Sequence, residues 1–353
     1  MDDSRTVLDA DLRWACPVCT ASITSSTDRY ECSECRRSWP VIDGIPHFVA
    51  GAPYWGEITE SQMTAVLNDM QRRYWKTALG SSDDPAVARV SLFIQNRNRA
   101  NWQYLLPRGE TQSALCVGEG MGTTAHALAG NYRTVVAMEP VDLRVEFMRR
   151  RFEQDAVRNI RVIRAGFPHV PFAKHTFDLV VFNGVLEWLP SADPARDPYA
   201  VQCGALRKAF DLLKPGGHVY IGIENRWCYE YFLGANDPHV GVPWVTILPR
   251  AIANRVMKRV AGRRYDNYLY GSRGYRRLLR KAGFTTSDVF VAKPSYNDPQ
   301  SLVPIAGPVA KYFFHAIDAQ PRSRIRRIIQ YLASWCDLLG DIQYAFVIIG
   351  RKS

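Results

Sequence analysis

Four cysteines stand as Cys16-Pro-Val-Cys19 and Cys32-Ser-Glu-Cys35, two C-x2-C pairs separated by twelve residues. Two such knuckles let four thiolates converge tetrahedrally on one zinc ion, with no open position left for catalysis. Two disulfides would use the same residues, but disulfides belong to oxidising compartments. The chain starts Met1-Asp2-Asp3-Ser4, without a charged region leading into an apolar stretch, so a cytoplasmic protein is expected. Redox chemistry would need only one C-x-x-C pair. The spacing therefore predicts a structural zinc on Cys16, Cys19, Cys32 and Cys35, whose binding supplies folding energy to a segment too short for a core of its own. Cys116, Cys203, Cys228 and Cys336 are scattered singly and read as small apolar core residues.

A second constellation is Gly118-Glu119-Gly120-Met-Gly122, followed seventeen residues later by Glu139. Glycines let a backbone approach a ligand closely at a helix N-terminus, and an acid closing the next strand accepts hydrogen bonds from ribose hydroxyls. The dinucleotide fingerprint G-x-G-x-x-G would require glycine at position 123, where Thr123 stands.

These residues need elements to hold them. Apolar spacing predicts helices over 57–80 and 86–106, ended by Pro107-Arg-Gly. From there strand and helix patterns alternate, the mark of an α/β doubly wound sheet. Strands are expected at Ser113–Val117 and Thr134–Met138, with a helix from Thr123 to Ala129 between them.

The G-x-G-x-G turn with its acid resembles the class I S-adenosylmethionine-dependent methyltransferases, and the likeness continues downstream. Val170-Pro-Phe172 and Phe177-Asp178-Leu-Val-Val-Phe182 resemble the family's run into strand four, and Asn183-Gly-Val-Leu-Glu187-Trp-Leu the segment after it. Leu206–Leu213, the Lys214-Pro-Gly-Gly217 turn and His218–Glu224 resemble the helix and strand five beyond it. Gly274–Gly283, Phe284–Ala292 and Tyr344–Lys352 would supply the last helix and the closing hairpin. Cys16 to Phe48, with Trp39-Pro-Val-Ile-Asp-Gly-Ile-Pro, resembles the zinc ribbons that precede many methyltransferases. More loosely, Glu224-Asn-Arg-Trp227 and Tyr54-Trp55-Gly56-Glu57 resemble a bacterial subgroup tied to glycan and secondary-metabolite pathways.

The resemblance implies a Rossmann-like seven-stranded methyltransferase sheet with an N-terminal four-cysteine zinc ribbon and helical insertions. Its domains would be a ribbon at 1–52, a helical cap at 53–108 and a methyltransferase domain at 109–353, with insertions at 226–271 and 293–341. It implies S-adenosylmethionine held by Gly118, Glu119, Gly120, Gly122, Glu139, Pro140, Phe167 and Asn183. Two positions depart from the family. Gly166 stands where an acid usually meets the adenine amine, and Trp188 where a histidine often follows the glutamate. Ligands in such sheets sit beyond the carboxyl ends of the strands, so the acceptor would meet Asn183–Trp188 and Glu224–Arg226. Methylating a hydroxyl needs a base; Glu187, Glu224 and His239 are the candidates, with Tyr229 a lesser one.

Asn183-Gly-Val-Leu186 is not the D/N-P-P-Y/F tetrad of nucleobase amino methylation, and no Pro-Cys dipeptide serves cytosine-C5 chemistry. O-methylation of a small molecule, sugar or glycan intermediate is therefore expected. The alternative is a ribosomal RNA methyltransferase with a zinc-binding N-terminal domain. The chain's net charge of +11 gathers between Arg250 and Lys281, eleven Lys/Arg against Asp266 alone. Such a segment suits an anionic phosphate or membrane surface, which would place the protein at the inner membrane face. Two apolar stripes are expected to pack on the domain or lie on such a membrane. One is Leu248, Ile252, Val256 and Val260. The other is Ile325, Ile328, Ile329, Leu332, Trp335, Cys336 and Leu339, near Arg322, Arg324, Arg326 and Arg327.

Overall fold

A computed structural model describes residues 12–107, 112–318 and 324–353. Met1–Ser4, the 108/109 boundary and Arg322 lie outside the described residues, as do the side chains of Ile325 and Arg326. Two compact units result, Met1–Val181 with Asp211–His218, and Phe182–Phe210 with Val219–Ser353. Eight strands make a large, mostly parallel sheet, beside a separate four-stranded one.

The first unit opens with the small sheet: β1 (Ile23–Ser25), β2 (Arg29–Cys32), β3 (Ser38–Ile42) and β4 (Ile45–Pro46), in that order. Trp14 joins it to the rest of the unit, its ring 4.8 Å from Tyr30 and 4.7 Å from Phe172. Backbone bonds from Ala15 N to Pro171 O (3.0 Å) and Phe48 N to Arg164 O (2.7 Å) complete the junction. Apolar burial of this kind contributes most of what a small sheet lacks.

Three helices come next, α1 (Glu60–Asp69), α2 (Trp75–Gly80) and α3 (Pro85–Gln95). Thr59 and Gln62 form a capping box at the start of α1. Asp84 caps α3, accepting from Ala86 N at 2.7 Å, with Pro85 in the first turn. The helix expected over 57–80 is thus two. Gln154 explains the break: its Nε2 donates to the Met70 and Arg73 carbonyls, and its Oε1 accepts from Trp75 N. The helix expected over 86–106 likewise ends at Gln95 and tightens into 3₁₀ turns over Arg97–Leu105, which bury Trp102.

The sheet of this unit begins with β5 (Ser113–Val117), α4 (Thr123–Leu128), β6 (Thr134–Glu139), α5 (Asp142–Gln154) and β7 (Ile160–Arg164). β5 pairs in parallel with β6, and β6 with β7. Next come β8 (Phe177–Asn183), α6 (Pro198–Leu212) and β9 (Leu213–Glu224), giving the order β9-β8-β5-β6-β7. Lys214–Gly217, expected as a turn, lies inside β9, with Gly216 at φ +78°. Met121, from the glycine loop, packs with Phe147 of α5 and with Met63, Trp75, Leu79, Val90 and Ile94. The lead helices therefore buttress that loop directly.

The second unit adds α7 (Tyr229–Phe232), α8 (Arg250–Ala261), α9 (Ser272–Ala282), β10 (Thr286–Ser295), β11 (Asp298–Pro304), α10 (Pro308–Tyr312), α11 (Arg324–Trp335) and β12 (Ala345–Arg351). Its strands run β11-β10-β12-β9-β8, with β10 antiparallel to both β11 and β12. β11 is the eighth strand, absent from the seven expected. Pro299 and Pro304 hide it in the sequence, and an edge strand tolerates both.

Neither apolar stripe packs as expected. On α8 the buried face is Ala253 and Met257, against Val245, Tyr265 and Tyr268, while Ile252 and Val260 are exposed. On α11 Ile328, Leu332 and Trp335 are exposed; among the described residues of the stripe, Leu339, beyond the helix, is buried. Among the single cysteines, Cys116 and Cys228 are buried, but Cys203 is half-buried and Cys336 exposed. Among the described residues, no helix is long and apolar enough to cross a membrane.

Candidate active site

Cys16, Cys19, Cys32 and Cys35 form no disulfide, and their Sγ atoms lie within 4.8 Å of one another. Cys16 lies 3.6 Å from Cys35, and Cys19 lies 3.4 Å from Cys32. Zinc–sulfur bonds of about 2.3 Å in a tetrahedron separate sulfurs by roughly 3.8 Å, so the cluster is close to that size. Amides of Val18 and Cys19 donate to Cys16 Sγ, and Cys35 N to Cys32 Sγ, each at 3.4 Å. Such bonds stabilise thiolate over thiol.

At the carboxyl end of β5, Gly118, Gly120 and Gly122 all have positive φ, at +59°, +66° and +85°. They serve different ends. A Cβ on Gly122 would lie 2.5 Å from Phe152, so that glycine seats α4 against α5. A Cβ on Gly120 would meet only Arg144, at 3.5 Å, so its backbone faces space. Glu139, the last residue of β6, accepts from Gly120 N (2.9 Å) and Val141 N (3.1 Å). Burial raises its carboxyl above the ordinary value, against the pull of Arg144 and the two amides. Half-buried Glu119 accepts from Ala125 N at 2.9 Å, and burial lifts it to about 7. Pro140 accepts from Arg164, Phe167 is buried, and a Cβ on Gly166 would meet nothing within 4 Å.

Arg144 was not legible as a site residue. It lies on the first turn of α5, five residues past Glu139, ion-paired with Glu57 and stacked 4.8 Å over Trp55. The Tyr54-Trp55-Gly56-Glu57 segment, noticed only as a loose likeness, is thereby held beside the glycine loop.

The second unit assembles a different site. Asn183 ends β8; its Oδ1 accepts from Tyr220, and its Nδ2 is buried without a partner. Glu187 lies four residues on, fully buried, with neither carboxyl oxygen hydrogen-bonded. Glu224 ends β9, and its Oε1 accepts from Tyr296 at 3.0 Å while Oε2 has no partner. His239, from the insertion after β9, points Nε2 at both: 3.6 Å to Glu187 Oε1 and 3.5 Å to Glu224 Oε2. Its Nδ1 lies 3.4 Å from Asp237 Oδ1. All three predicted residues therefore converge; Tyr229 does not, bonding instead to Glu230.

Two partners of the cluster escaped sequence reasoning. Asp237 is fully engaged, accepting from the His239 and Val240 amides, Thr246 and Tyr265. Tyr296 comes from the end of β10. Asp237-Pro-His239 was the available signal, since an aspartate often bonds the amide two residues on. Burial raises Glu187 and opposes charge on His239, yet the surrounding carboxylates outweigh burial and lift His239 to about 12. For Asp237, burial is outweighed by bonds from His239 and Thr246, which hold it below its ordinary value. His239 packs edge-on against Trp188, with ring centres 5.1 Å apart.

Residues 115–221 match the model of a methyltransferase domain. No curated protein matches the chain. Among solved structures, the chain is similar to phosphoethanolamine N-methyltransferase 2 of Haemonchus contortus, at 15% identity and TM-score 0.43, covering 73% of this chain and 52% of that one. It thus spans about half the length of that protein. A possible histamine N-methyltransferase of Thermotoga maritima has 18% identity and TM-score 0.42, covering 75% and 93%. A cyclopropane synthase of Mycobacterium tuberculosis has 15% identity and TM-score 0.40, covering 84% and 94%. Residues 115–221, about a third of the chain, are thus similar to a methyltransferase domain.

Proposed function

We propose that the protein is an S-adenosylmethionine-dependent methyltransferase that O-methylates a small molecule, sugar or glycan intermediate. The observation that carries this is the buried convergence of Glu187, Glu224 and His239 at the carboxyl ends of β8 and β9. A hydroxyl oxygen becomes a competent nucleophile as it loses its proton, and a buried carboxylate suits that transfer. Glu187 and Glu224 offer three unpartnered oxygens for it. His239, backed by Asp237, stabilises the charge they carry.

Gly118, Glu119, Gly120, Glu139, Pro140 and Phe167 of the first unit would hold the cofactor. The open backbone at Gly120 and the acid beside it fit a nucleoside with a ribose diol. When bound, S-adenosylmethionine supplies an electrophilic methyl group. The chain's own work is to align an acceptor with it and take the hydroxyl proton. Cys16, Cys19, Cys32 and Cys35 would hold a structural zinc, and the sulfur spacing supports this. A cytoplasmic location, peripheral at a membrane face, is part of the same proposal.

One observation favours the RNA alternative. Arg255, Lys258, Arg259, Arg263, Arg273 and Arg277 are exposed on or beside α8 and α9. Arg250 differs, packing 3.9 Å from the Tyr268 ring and bonding the Leu269 carbonyl. Incubating the protein with a lysate and methyl-labelled S-adenosylmethionine separates the readings. Label in a nuclease-resistant, base-stable ether supports O-methylation. Label lost to ribonuclease supports RNA, and a steep salt dependence of binding would accompany it.

A further inference from the structure

We infer that Glu187, Glu224 and His239 form a binding site for a divalent transition-metal ion, separate from the cysteine cluster. One oxygen from each glutamate and Nε2 of the histidine lie within 4.8 Å of one another. The two ring-to-carboxylate separations, 3.5 and 3.6 Å, are long for hydrogen bonds. They suit donors that share one ion at about 2.0–2.2 Å. A single Nε2 proton also cannot serve both carboxylates, whereas an ion accepts all three donors.

Burial adds a second, independent argument. Glu187 is fully buried and both its oxygens lack partners, as does Glu224 Oε2. Buried charges are ordinarily paired or bound to a metal, because an isolated one is costly. Two carboxylates balance a dication once the imidazole gives up its proton on binding. The surroundings have the form of an outer shell: Asp237 stands behind Nδ1, and Tyr296 donates to the other oxygen of Glu224. A carboxylate behind a ligating histidine fixes its tautomer and ring orientation. One nitrogen with two carboxylate oxygens favours Zn2+, Mn2+ or Co2+ over calcium.

Three protein donors leave at least one coordination position open. In that position the site suits a hydroxyl or diol of the acceptor, a consequence that rests on the O-methylation reading. The ion site itself does not rest on it.

Mn2+ alone, titrated into the full chain after dialysis that leaves zinc on the cysteines, is followed by the spectrum of free Mn2+. The expected result is one equivalent bound by the wild type. Glu224→Gln and His239→Gln, each checked for an unchanged melting profile, should each weaken it at least tenfold. Co2+ should compete and give a visible spectrum of oxygen and nitrogen, not sulfur, ligation. No Mn2+ or Co2+ bound by the wild type, or equal binding by both variants, overturns the site. Mn2+ binding alongside label confined to RNA would retain the metal site and remove the O-methylation reading. An ether product from a protein that binds no Mn2+ or Co2+ would do the reverse.

Discussion

The two units hold their functional groups in opposite ways. In the first, the carboxylates beside the glycine loop are satisfied by the chain itself: Glu139 by the Gly120 and Val141 amides, Glu119 by Ala125. In the second, Glu187 and one oxygen of Glu224 are buried without a hydrogen bond, facing His239 Nε2 at 3.6 and 3.5 Å. A satisfied carboxylate with open backbone beside it is a rigid receptor. Unsatisfied buried carboxylates store a demand for a proton or a cation. On the proposed function, binding would fall to the settled region and chemistry to the unsettled one.

That division can be broken by variants that cross it. The largest effect belongs to Gly120→Val, which puts a branched side chain at φ +66° into the space beside Arg144. Cofactor affinity, by equilibrium dialysis of labelled S-adenosylmethionine, should fall at least a hundredfold; retention would sink the cradle. Glu224→Gln should lower kcat by about 10²–10³-fold while cofactor affinity stays within twofold. A parallel loss of affinity would show that the two regions are not separate in function. Cys19→Ser should release about one zinc per chain and lower the melting temperature, since the small sheet loses metal binding that contributes to folding. Unchanged metal content would exclude the zinc.

Glu139→Ala is gentler, removing one anchor of the cradle, and should weaken cofactor binding about ten- to a hundredfold with kcat at saturation nearly kept. The smallest effect concerns Glu119. Its folded value near 7 lies above the ordinary 4.5, so the folded state holds the proton more tightly than the unfolded one. Stability from this group is therefore present at low pH and declines as pH rises from about 4.5 to 7. Glu119→Gln should flatten that slope in denaturant melts, and an unchanged slope would place its origin elsewhere.

Much of this was readable from the chain. The strands at Ser113–Val117 and Thr134–Glu139 and the helix between them fall where spacing put them, because Gly118 and Pro140 end the two strands and Gly122 precedes the helix. The helix expected over 57–80 failed because Gln154, some eighty residues distant, takes the backbone groups that would have continued it. The stripe on α8 misled because the buried face is carried by Ala253 and Met257, in one cluster with Val245, Tyr265 and Tyr268, and an alanine adds little to an apolar pattern.

The sequence by itself determined the local devices: paired cysteine knuckles, a glycine turn, an acid closing a strand, each set by residues a few positions apart. Glu187, Glu224 and His239 could be named as candidates from their places after two strands. Only the tertiary structure decided that they converge, that Asp237 stands behind the imidazole, and that Tyr296 reaches Glu224 across 72 residues. The reason is physical. Local geometry follows from backbone sterics and hydrogen bonding between near neighbours, which composition and spacing encode. The environment of a buried charge is set by which distant segments exclude water from it, and that depends on the whole packing.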